Sequence, residues 1–87
     1  MITGKTQSGF EFAVPDDAMD DYELLETLVG IDKGDFTLIT DMTNMLLGEE
    51  QKNKLKEHIR SDKGKVSVAA MLNEVMEIFK ASSAGKN

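Results

Sequence analysis

The stretch GEEQKNKLKEHIRSDKGKV (48–66) holds the only histidine of the chain, His58, and most of its positive charge. A histidine can serve as general base, general acid or metal ligand. Nucleophilic catalysis sets such a base beside Ser or Cys, and this chain has no Cys. A zinc site needs about three further N, S or O ligands. There is no second His, and Glu57 points elsewhere on a helix, so His58 reads as a residue at the edge of a helix stripe beside Ile59. The carboxylates Asp16, Asp17, Asp20 and Asp21 suggest a divalent cation. A calcium loop, however, alternates its oxygen ligands around a Gly turn; this run lacks that Gly and opens a helix. GDFTLITD (34–41) fails for the same reason. GKTQSG (4–9) has fragments of a phosphate loop without the strand before it or the helix after it. No catalytic, cofactor-binding or metal-ligating residue is assigned, and the expectation is a protein that is not an enzyme.

The basic row is the remaining chemical candidate. Lys52, Lys54, Lys56, Arg60, Lys63 and Lys65 could neutralise phosphates, and a small nucleic-acid-binding regulator using the basic helix 51–65 is the alternative reading. Against it stand a net charge of −6, a pI near 4.6 and a single Arg for bidentate base contacts. No aromatic residue is interleaved for base stacking.

The elements that must position these residues follow from periodicity. Phe10, Phe12 and Val14 alternate with Glu11 and Ala13, the period of a strand with one buried face. Ile2 and Thr6 belong to a preceding strand, with Ser8-Gly9 in the turn, and Pro15 ends the ladder. A lone hairpin is marginal in water, so helices must cover its Phe face. A helix is expected from about 17 to 30, capped by Asp16 or Asp17, with the stripe Ala18, Tyr22, Leu25 and Val29 widened by Leu24 and Leu28. A second begins after Gly34, with Asp35 as cap and a stripe of Leu38, Ile39, Met42, Met45 and Leu46, and stops at Gly48. A third carries Leu47, Leu55 and Ile59 and ends near Ser61, its acids first and its bases last, as the helix dipole favours. The fourth, from about 68 to 81 and capped by Ser67, has the longest stripe: Val68, Met71, Leu72, Val75, Met76 and Phe79.

The expected fold is therefore mainly α (α+β): an N-terminal β-hairpin (1–14) followed by about four amphipathic helices (16–82), in one small domain (1–82) with a disordered tail (83–87). Eighty-seven residues bury only about 60–65% of their unfolded surface, so an oligomer or a partner would add to a thin stability margin. No apolar run approaches the roughly 20 residues that cross a bilayer, and MITGKTQSGF has no apolar signal region. Charge is polarised. Residues 1–50 carry 12 acidic and 2 basic side chains, and residues 51–87 carry 4 and 8. Poles of opposite sign on one chain favour head-to-tail pairing, with Asp20 and Asp21 of one copy facing Lys52, Lys56 and Arg60 of the next.

Three segments together, SGFEFAVPDDAMDDYELLETL, LLGEEQKNKLKEHIRSDKGKVS and NEVMEIF, resemble the small tail assembly chaperones of long-tailed phages and prophages of Gram-positive bacteria. The likeness runs from about Ser8 to Phe79 and is strongest at DDYELLETL and LLGEEQ; TDMTNM is more polar than the pattern. The resemblance implies a non-catalytic protein of the host bacterial cytoplasm that needs no cofactor. It would bind the long, largely helical tape measure protein and help tail tube protein polymerise around it, and would be absent from the mature virion. Such proteins are often also made in a longer form by ribosomal frameshifting, and Lys86-Asn87 can be encoded within a slippery A-AAA-AAC heptamer.

A surface that accepts apolar clients suits methionine, which is flexible and polarisable. Six Met occur, and Met42, Met45, Met71 and Met76 lie on helix stripes. The expected partner-binding residues are Leu38, Met42, Met45 and Leu46 with Met71 and Val75 of the last helix.

Overall fold

The computed structural model describes residues 1–84. Strands β1 (Ile2–Lys5) and β2 (Glu11–Val14) pair antiparallel, Ile2 opposite Val14 and Lys5 opposite Glu11. The turn Thr6–Gly9 joins them, closed by Gly9 N–H donating to the Thr6 carbonyl. The alternation has the expected outcome: Phe10, Phe12 and Val14 are buried and Glu11 is exposed. The Phe12 ring lies across Gly4, its cross-strand partner. A Cβ at Gly4 would sit 2.7 Å from the ring's Cζ, so the missing side chain is what admits the ring.

Three helices are present among the described residues, α1 (Tyr22–Asp32), α2 (Ile39–Ile59) and α3 (Val68–Ala84), rather than about four. The two helices expected on either side of Gly48 form one element, α2. Its ladder is interrupted at Gly48, whose φ of 79° and ψ of 170° are not helical. That conformation belongs almost wholly to glycine. Helical geometry thus stops at Gly48, as expected, and resumes beyond the kink within the same element.

α1 begins about five residues later than expected. Residues 15–20 form consecutive turns, with Ala18 N–H donating to Pro15 and Asp20 N–H to Asp17. The cap is Asp21, not Asp16 or Asp17, because its carboxylate accepts from the first free N–H groups, those of Glu23 and Leu24. Asp35 caps a short 3-10 turn (Phe36–Leu38) ahead of α2. Ser67 caps α3 as expected, its Oγ accepting from Ala70 N–H. α3 runs to Ala84, so Ser83 and Ala84 of the expected tail are helical, and 85–87 lie outside the described residues.

α1 and α3 each pack on α2, and the hairpin rests on α2 and α3. One apolar cluster joins Phe10, Phe12 and Val14 to Leu24 and Ile31 of α1, to Ile39, Met42, Leu46, Leu47 and Leu55 of α2, and to Val75 and Ile78 of α3. At about 2–3 kcal/mol per fully buried side chain, this burial is the main stabilising term.

Candidate protein-docking surfaces

The structure brings His58 to Ser8. Nε2 lies 3.0 Å from Ser8 Oγ and 3.2 Å from the Ser8 carbonyl oxygen. A carbonyl only accepts, so Nε2 carries the proton and donates. Ser8 Oγ–H in turn donates to Glu74 Oε1 at 2.9 Å, and Thr6 Oγ1–H donates to the same oxygen at 2.8 Å. In a nucleophilic pair the histidine accepts the serine proton. Here that proton points at a carboxylate, and the imidazole presents an N–H. The arrangement is a clasp that fixes the hairpin turn to the end of α2 and the middle of α3, with the Phe10 and His58 rings 5.6 Å apart. Gln7 N–H adds a bond to Glu77 Oε2. The clasp also explains how Glu74, a charged residue, sits buried in α3 with Thr6 above it. No group of three or more metal-binding side chains occurs among the described residues.

Helix phase moves the expected client residues. Met42, Leu46 and Val75 lie in the core and cannot meet a partner; Leu38 and Met71 are half-buried; Met45 alone is exposed. Three-to-four spacing finds the apolar arc of α2, and that arc faces the protein's own hairpin and α3 rather than a client. α3 is turned in the same sense. Its most buried line is Glu74, Val75, Ile78 and Ser82, while Val68, expected on the stripe, is exposed.

The surface that sequence reasoning missed is on α1. Tyr22, Leu25 and Val29 were expected to face the core, yet they are 74%, 50% and 42% exposed. The buried arc is Leu24, Leu28 and Ile31. Those residues also recur at steps of four and three, a signal hidden by ending the helix at 30. α1 is apolar on two sides, and tertiary contact chooses one. Phe36 and Met45 add further exposed apolar surface. Between α1 and α3 runs an apolar crease. One end is lined by Met19, Leu24, Leu25 and Phe79 beneath Asp20 and Asp21, and the other by Leu28, Ile31, Leu72 and Met76 beside Asp32.

The charged residues expected to pair between copies are partly committed within the chain. Asp21 caps α1, while Asp20 stays at the rim of the crease. Lys52 Nζ lies 3.2 Å from Glu49, and Lys54 lies 3.6 Å from Glu50. Arg60 donates to Glu57 and to the Gly64 carbonyl. Its hydrogen bond holds the Glu57 carboxyl below the ordinary carboxylate range, against an opposing cost of desolvation, and the charges of Arg60 and Lys56 add to the lowering. The same hydrogen bond raises Arg60. Arg60 is thus drawn away from an intermolecular role, and the basic row alternates with carboxylates that blunt its attraction for phosphate. Lys52 and Lys56 do share a feature. The bend at Gly48 sets them across from Ile39, Thr40 and Thr43, around a groove of about 270 Å³ that Val66, Val68 and Met71 close.

No family model, no curated protein and no solved structure matches the chain.

Proposed function

We propose that the chain is a non-catalytic tail assembly chaperone of a long-tailed phage. It binds the tape measure protein in the host bacterial cytoplasm, keeps it soluble while tail tube protein polymerises around it, and is left out of the mature virion. The observation that carries the reading is the exposed row Tyr22, Leu25 and Val29 on an otherwise acidic helix, beside an apolar crease. Apolar surface of that kind on a small domain marks a place where another polypeptide docks. The acidic rim keeps a complex with an oily client dispersed and selects client segments that carry basic residues beside their apolar face. The sequence resemblance supplies the identity of the client. The clasp at His58 serves to hold the hairpin, which is compatible with an interaction role.

Co-expression with the tape measure protein of the same phage tests the reading. The chain is expected to move that protein from the insoluble to the soluble fraction and to co-purify with it. The double substitution Leu25→Ser with Val29→Ser is expected to abolish both effects with the helical circular dichroism unchanged. A tape measure protein that stays insoluble beside the unaltered chain, or recovery of the chain from purified virions, would refute it.

A further inference from the structure

We infer that the lysine-lined groove at the Gly48 bend is a second foothold for the client, and that it takes a helical segment with two carboxylates one turn apart beside an apolar side chain. Who that client is rests on the chaperone reading; its chemistry rests on the groove. Ile39, Val66, Val68 and Met71 give the groove an apolar interior, and Lys52 and Lys56 stand at its edge. Thr40 and Thr43, on the same wall, donate their hydroxyls to the carbonyls of Thr37 and Ile39, which leaves that wall few free polar groups. Among the described residues no carboxylate lines the groove.

These two lysines differ from the rest of the basic row. Lys54 is exposed, whereas Lys52 and Lys56 are half-buried, with their stems against apolar surface. Lys56 makes no ion pair among the described residues. Lys52 has only its 3.2 Å bond to Glu49, whose side chain is 76% exposed, and a carboxylate of another chain can replace such a surface pair. Lys52 and Lys56 lie four positions apart on α2, so their stems leave the helix about 6 Å apart along its axis. Carboxylates four positions apart on a partner helix have the same spacing, and an apolar residue three positions after the first lies beside them. The groove volume of about 270 Å³ falls below the roughly 300–1,000 Å³ of small-molecule sites and has room for one or two apolar side chains. The crease between α1 and α3 has the opposite sign, since Asp20, Asp21 and Asp32 rim it. Groove and crease thus select acidic and basic stretches of one client, which fixes which stretch lies on which face.

Two blocked helical peptides test the groove on the full chain at low salt. One carries Leu beside two Glu one turn apart, and the other has Lys in place of each Glu. The Glu peptide is expected to move the amide signals of Thr40, Val68 and Met71, and to bind more weakly as salt is added. Lys52→Glu with Lys56→Glu is expected to weaken its binding at least roughly tenfold and to bring the Lys peptide into the groove instead. Circular dichroism checks that the variant folds. A Glu peptide that leaves the groove signals unmoved overturns the inference, as does affinity that the folded variant retains. Octanoate that binds the groove as tightly as the peptide assigns it to small amphipathic anions, and groove signals that move when the chain alone is diluted assign it to a second copy; either result overturns the inference. If the groove fails while the unaltered chain still solubilises the tape measure protein, the chaperone reading stands on α1 alone.

Discussion

The side-chain amide of Gln51 pairs with both backbone polar groups of Ala13: Nε2 donates to the Ala13 carbonyl at 2.6 Å, and Ala13 N–H donates to Oε1 at 2.8 Å. Nε2 also donates to the Leu47 carbonyl. A hairpin of two strands leaves each outer edge without a ladder, and partly buried N–H and C=O groups there are costly. Gln51 imitates a third strand at one residue and so ties β2 to α2 just past the Gly48 bend.

Gln51→Ala is therefore expected to destabilise the chain by about 1–3 kcal/mol, because it leaves Ala13 unpaired and loses all three bonds of the amide. Gln51→Glu removes the donor and sets a carboxylate against the Ala13 carbonyl, so it should not rescue. Urea denaturation of the two variants measures this. Stability equal to that of the unaltered chain would show that water satisfies Ala13 instead.

The bend itself depends on one residue. Gly48 holds φ of 79° and ψ of 170°, where any Cβ is strained, although nothing lies within 4 Å of the site. The penalty for Gly48→Ala is thus conformational rather than steric, about 1–3 kcal/mol. If the helix relaxes instead by straightening, Lys52 and Lys56 swing away from Ile39 and the groove is lost. Either outcome appears in a thermal melt combined with amide chemical shifts at residues 46–52; a variant with unchanged melting and shifts would contradict the bent geometry.

Glu74 is the acceptor on which the hairpin turn hangs. Glu74→Ala removes the partner of both Thr6 and Ser8, and Thr6 is buried. A loss of about 2 kcal/mol is expected from the stranded hydroxyl and the vacated volume. Glu74→Gln keeps one acceptor oxygen and should recover a large part of that loss. Hydrogen exchange at Phe10, whose N–H donates to Thr6 Oγ1, reports the clasp locally. Equal losses for the two variants would assign the effect to charge rather than to the acceptor.

Local rules made the hairpin, the Gly48 break and the Ser67 cap legible, because each follows from residues within a few positions. The side-chain period of two admits a single buried face for Phe10, Phe12 and Val14. Helix phase was another matter. α1 has apolar residues on two sides, and which side is covered depends on how α2 packs against it. The clasp could not be read either, since Thr6, Ser8, His58 and Glu74 meet only when hairpin, α2 and α3 are assembled. A buried glutamate looks like a surface residue until its partners are known.

The Glu57–Arg60 pair sets a pH dependence whose sign is fixed. The folded-state value of Glu57 lies below its ordinary one, chiefly through the Arg60 hydrogen bond. Its stabilising contribution is present above the ordinary carboxylate range and is lost as pH falls through the lowered value. Both groups are exposed, so the effect shrinks with added salt. A carbon-13 titration of the Glu57 carboxyl is expected to show a higher midpoint in Arg60→Gln than in the unaltered chain. Coincident midpoints would mean that the pair does not persist in solution.

Met42 and Met45 sit three positions apart on α2 and should answer alanine substitution in opposite ways. Met42 is fully buried, and Met42→Ala opens a cavity that costs about 2–5 kcal/mol. Met45 is 37% exposed, with its sulphur 3.6 Å from Thr27 Oγ1, so Met45→Ala should change stability by less than about 0.5 kcal/mol. Under the chaperone reading, Met45→Ala keeps the fold and weakens client capture, whereas any loss with Met42→Ala tracks its lower stability. Chemical denaturation run beside the co-solubility assay separates the two. Equal stability losses at both positions would place the face of α2 differently and remove Met45 from the docking surface.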